Sequence, residues 1–75
     1  MIFPDKLFSY DESVISKFPV ILKELKKSPM KVAELYHTVQ NKMTDISEFI
    51  DALDCLYILN KIEYDSDKEV LKYVD

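Results

Sequence analysis

The sequence predicts an α+β domain in which three amphipathic helices are followed by a C-terminal two-stranded hairpin. Three observations carry this. Apolar residues recur at three- and four-residue spacing from residue 13 to residue 60, and after Asn60 the spacing shortens to alternation. At 75 residues and 48% apolar, the chain has the material for one thin core and too much apolar surface for a disordered tail.

Residues 1–12, MIFPDKLFSYDE, have no helical period. Pro4 disfavours helix at Phe3, and Ile2, Phe3, Leu7, Phe8 and Tyr10 are too apolar for a free tail. They read as an ordered apolar arm preceding a domain at 13–75. In SVISKFPVILKELKK, residues Val14, Ile15, Phe18, Ile21, Leu22 and Leu25 share a helical face, with Lys17, Lys23, Glu24 and Lys26 largely opposite. Ser13 or Ser16 caps this helix. With Ser16 as cap, Pro19 stands in the first turn, where its missing N–H costs nothing; with Ser13 as cap, the helix kinks. The helix ends near Lys27, its cations set against the C-terminal dipole.

Ser28 and Pro29 form a turn or a helix start, and Met30-Lys31-Val32 is a candidate short strand. Val32, Leu35, Tyr36, Val39 and Met43 share the face of a second helix. Thr44 or Asp45 caps the third, DISEFIDALDCLYILN, where Asp45 and Glu48 have the spacing of a capping box. Ile46, Phe49, Ile50, Leu53, Leu56 and Tyr57 make its stripe, widened by Ala52 and Leu59, while Ile58 points away. KIEYD and EVLKYV, separated by SDK, read as the hairpin. This order is that of a winged helix-turn-helix.

Charge argues against the usual use of that fold. Residues 1–16 carry a net −2, residues 17–42 a net +4 and residues 43–75 a net −6. The third helix, which a winged helix lays in the major groove, bears Asp45, Glu48, Asp51 and Asp54 and no cation. Phosphate contact supplies most non-specific affinity, so such a face repels duplex. Arginine is absent, which removes bidentate reading of guanine, and glycine is absent, which removes Gly-rich phosphate loops. Lys23, Lys26, Lys27 and Lys31 form the one candidate electrostatic or nucleic-acid contact, against a plain reading as a solvated helix end.

No catalytic residue, metal site or cofactor is expected. The four acids read as a ridge on the outward side of the third helix, without His or Cys to complete a ligand set. His37 reads as a surface residue, and Cys55, with no cation beside it, as a packed or half-buried thiol. A single cysteine suits a reducing cytoplasm, no apolar run approaches the roughly 18 residues of a membrane span, and the opening residues lack a signal-peptide pattern. The apolar surplus is more telling. Val20, Ile58 and the arm are hard to bury in so small a domain, which favours a protein partner met through Ile2, Phe3, Pro4, Phe8, Tyr10 and Ile58.

IFPDK, SVISKFPVIL, PMKVAELY and FIDALDCLYILNKIEYD together resemble the small middle-component family of bacterial ABC-three-component systems. Many members have Gly where this chain has Asn60, and often a Gly where it has SDK. The resemblance implies a bacterial anti-phage conflict system. In it an ABC ATPase of the SMC/Rad50-like kind senses nucleic acid, an effector, often a nuclease, does damage, and the middle component is a non-catalytic adaptor between them. DNA would then be met only indirectly, through the complex, and no membrane is involved. The alternatives are a stand-alone winged-helix DNA-binding regulator and, more remotely, an acidic DNA mimic.

Overall fold

The structure, a computed structural model, describes the backbone of residues 4–75 and the side chains from residue 10 onward. Four helices, α1 (Pro4–Ser16), α2 (Phe18–Lys27), α3 (Val32–Val39) and α4 (Ile46–Ile58), precede an antiparallel hairpin of β1 (Ile62–Asp65) and β2 (Val70–Tyr73). The three expected helices are α2, α3 and α4, so the α+β class and its winged helix-turn-helix-like order stand. Residues 4–12, expected to lack helix, form most of an additional helix that begins at Pro4. Proline is tolerated there because the first N–H of a helix has no intrahelical partner.

The break between α1 and α2 falls at Lys17, and neither Ser13 nor Ser16 caps α2. Lys17 is the cap residue and makes no side-chain bond, while Pro19 stands in the first turn. A continuous helix would drive the proline ring into the carbonyl of Ile15, so the chain turns instead. Lys17 N–H bonds the Val14 carbonyl at 3.1 Å and its own carbonyl accepts from Ile21 N–H at 3.1 Å. After α2 the chain becomes extended, and Met30 forms an isolated antiparallel bridge with Leu71. That pairs one residue of the candidate MKV strand with the hairpin.

A 3-10 turn, Gln40–Lys42, joins α3 to α4. Asp45 caps α4, its Oδ1 accepting from Glu48 N–H at 2.9 Å. The helix ends in a Schellman motif: Asn60 N–H bonds the Tyr57 carbonyl at 3.0 Å and Lys61 N–H the Leu56 carbonyl at 2.9 Å. Asn60 sits at φ 60°, a left-handed conformation that asparagine tolerates better than other non-glycine residues. In the hairpin, Ile62 pairs with Tyr73 and Asp65 with Val70. Asp65 Oδ1 accepts from the N–H groups of Asp67 and Lys68, an Asx turn that holds the loop without glycine. Lys72 lies 3.0 Å from the Asp65 carboxylate, and that contact holds Asp65 below the usual carboxylate range.

The core joins Ile21 and Leu25 of α2, Leu35 and Val39 of α3, Met43, and Phe49, Ala52, Leu53 and Leu56 of α4 to Ile62 and Leu71 of the hairpin. Tyr36 packs on Phe49 with ring centroids 4.9 Å apart. Among the described residues of α1 only Val14 is buried. Several positions expected in the apolar faces are instead exposed: Ile15, Ile46, Ile50, Tyr57 and Leu59. Among the described residues no helix is long and apolar enough to cross a membrane.

Candidate protein-docking face of α4

The acids of α4 do not form one outward ridge. Glu48 is 2% exposed and Asp51 is half-buried, because α1 lies across them. Ser13 donates its hydroxyl to Glu48 Oε2, and Tyr10 donates its phenol to Asp51 Oδ2. Moving up α1 by three residues moves down α4 by three, so α1 runs antiparallel to α4. Its early turns head towards the end of α4 that carries Ile58.

Glu48 is the centre of a buried polar cluster. Thr44 N–H donates to Oε1 at 2.9 Å, Thr44 Oγ1 reaches Oε2 at 3.3 Å, and Lys17 Nζ lies 3.9 Å from Oε1. Burial by itself raises the pKa of this carboxyl; the bonds from Ser13 and Thr44, with the charge of Lys17, outweigh it and hold the group below its ordinary 4.5. The expected capping box therefore forms with a shift: Asp45 accepts from the N–H of Glu48, but Glu48 reaches one residue further back, to Thr44. At Asp51 the effect falls on the partner. The hydrogen bond to that carboxylate pushes Tyr10 up to about 12.

Beside these contacts, residues of α1 and α4 line an open groove of about 360 Å³. Val14, Ile15, Cys55 and Ile58 give it apolar walls, and Asp11, Asp51 and Asp54 stand around it beside Tyr10. Ile58 is 80% exposed, as its helical position requires. Cys55, expected to be packed or half-buried, is exposed and lines this groove. On the adjoining side of α4, Ile46, Ile50 and Tyr57 recur at four- and seven-residue spacing and stand 56%, 41% and 62% exposed. The helix thus has an inner face in the core and an outer face that is apolar and acidic, with no cation.

The six residues expected to meet a partner fall into two groups. Tyr10 and Ile58 both line the groove. Pro4 and Phe8 belong to α1 with side chains outside the described residues, where Ile2 and Phe3 also lie. The lysines are spread: Lys27 pairs with Glu24 at 3.4 Å, Lys26 covers the Tyr73 ring at 5.1 Å, and Lys23 and Lys31 are exposed. His37 is exposed, with Gln40 Nε2 at 3.5 Å from Nδ1. Among the described residues, no group of three or more His, Cys, Asp or Glu side chains is placed to hold a metal ion.

Fold and site together define a small winged-helix-like domain whose third core helix presents apolar and acidic side chains in place of cations. The chain belongs to the ABC-three component (ABC-3C) system Middle Component 7 family, whose sequence model matches residues 3–71. No curated protein and no solved structure matches it. A middle component of a multi-component system has protein partners.

Proposed function

We propose that the protein is a non-catalytic adaptor linking an SMC/Rad50-like ABC ATPase to an effector, such as a nuclease, in a bacterial anti-phage system. The carrying observation is the outer face of α4. Ile46, Ile50, Tyr57 and Ile58 stand exposed there beside Asp54, on the helix that a DNA reader would fill with cations. Contiguous exposed apolar side chains favour a polypeptide, and the carboxylates repel a polyanion. Family membership supports the same reading, since a middle component works with other components. The arm (Ile2, Phe3, Pro4, Phe8, Tyr10) and Ile58 are the contacts we assign to the partner, with Lys23, Lys26, Lys27 and Lys31 as an electrostatic guide.

Co-purification with the ATPase and effector tests this. Ile58→Asp alters a side chain that contributes nothing to the core, so the variant keeps its circular dichroism and thermal midpoint but is lost from the complex. Phe3→Asp has the same expected outcome. Undiminished co-purification of both variants removes these residues from the interface. The stand-alone regulator is separated by a salt titration: the adaptor shows little affinity for duplex alone at physiological salt, whereas a regulator binds it tightly with a steep salt slope.

A further inference from the structure

Resting on the adaptor reading, we propose that the groove between α1 and α4 receives a basic amphipathic helix of a partner subunit. Its walls and rim specify opposite chemistries. Ile15 on one side and Ile58 on the other are 58% and 80% exposed, and between them the groove has room for the few large apolar side chains that two turns of a helix present. Around those walls stand Asp11, Asp51 and Asp54. Asp51 is engaged by Tyr10, and among the described residues no lysine pairs with Asp11 or Asp54. An occupant that covers Ile15 and Ile58 brings its flanking side chains against these carboxylates, and lysine or arginine there gains where glutamate or phosphate loses.

Among the described residues, neither α4 nor α2 of a second copy meets that description. Its α4 is acidic and would set carboxylates against carboxylates. The cations of α2 are exposed, but the apolar face that would accompany them, Ile21 and Leu25, is already buried in the core. The occupant is therefore another polypeptide, with a basic and apolar helix of its own.

Cys55, the only cysteine in the sequence, lines the groove and is exposed, so its alkylation rate reads occupancy directly. The probe is a synthetic helical peptide of about 15 residues with leucine on one face and lysine elsewhere. A twin with glutamate in place of lysine is the control. At low salt the lysine peptide slows alkylation of the full-length chain about tenfold at saturation, the protection fades as salt rises, and the glutamate peptide gives none. Ile58→Asp and Asp54→Lys, both at exposed positions, each abolish most of the protection while leaving the fold intact by circular dichroism. No slowing by the lysine peptide overturns the proposal, as do equal slowing by both peptides or indifference to the two substitutions. Protection that grows with the protein's own concentration, without peptide, overturns it in favour of self-association. In the assembled complex Cys55 is expected to be shielded. A chain held by the ATPase or effector with Cys55 still freely alkylated overturns the groove and leaves the adaptor reading standing; a chain held by neither component overturns the adaptor reading and with it this proposal.

Discussion

Glu48 is the one polar residue that is buried among the described residues. Its carboxylate accepts from Ser13 before the helix break and from Thr44 before the cap of α4, with Lys17 beside it. Replacing it by alanine leaves the Thr44 N–H and the Ser13 hydroxyl without their partner, at a cost of about 2–3 kcal/mol in urea unfolding. Glu48→Gln keeps the shape and one acceptor and costs less, about 1–2 kcal/mol. The pH dependence has a definite sign. Because the folded carboxyl is more acidic than its ordinary 4.5, the unfolded chain binds a proton more readily. The stability Glu48 adds is thus complete above that ordinary value and is lost as the pH falls through the lower folded one. Urea midpoints measured across that range should converge for wild type and Glu48→Gln as the pH drops. Parallel curves would detach the carboxylate's charge from stability.

At the scale of elements, the helix ends follow local chemistry. Asn60 closes α4 at φ 60° and Glu69 stands at φ 57° in the wing loop, both where glycine has no Cβ to strain. Asn60→Gly is expected to be neutral or stabilising by up to about 1 kcal/mol, whereas Asn60→Val costs about 1–2 kcal/mol, since a β-branched residue resists the left-handed region. Equilibrium urea unfolding of the two variants checks the order; equal effects would place the motif elsewhere. α2, α3, α4 and the hairpin were legible because each buries a stripe with its own period. The helix α1 was not, because Val14 is its one buried apolar side chain among the described residues and its other contacts with α4 there are polar. Leu7, Tyr10 and Val14 do keep helical spacing, but that spacing straddles the boundary drawn at Ser13. Besides Val14 in the core, α1 is tied to α4 by a pair of hydroxyl donors three residues apart, Tyr10 and Ser13, matched to a pair of acids three apart, Asp51 and Glu48. Acids on a helix are usually solvated, so their spacing alone predicts an outward ridge, whereas Glu48 and Asp51 are the seat of another helix. Ile58 was legible as exposed from its angle alone. The exposure of Ile46, Ile50 and Tyr57 was not, since periodicity cannot say how much of a broad stripe the neighbouring elements cover.

For the molecule as a whole, the separation of charge gives orientation. Residues 17–42 carry the net +4 and residues 43–75 the net −6, so a partner meets a polarised surface with its apolar contacts gathered on the negative part. The radius of gyration, 12.9 Å, exceeds the roughly 11 Å expected of a compact chain this long, and the longest dimension is 45 Å. An elongated body has more surface for partners in proportion to its core, which suits a part that is completed by assembly. On the adaptor reading, the outer face of α4 meets polypeptide. Replacing Tyr57 by the photoreactive analogue p-benzoylphenylalanine and irradiating the complete assembly with DNA present tests it most directly. Adducts to a protein component are predicted; adducts to the duplex, with none to protein, would contradict it.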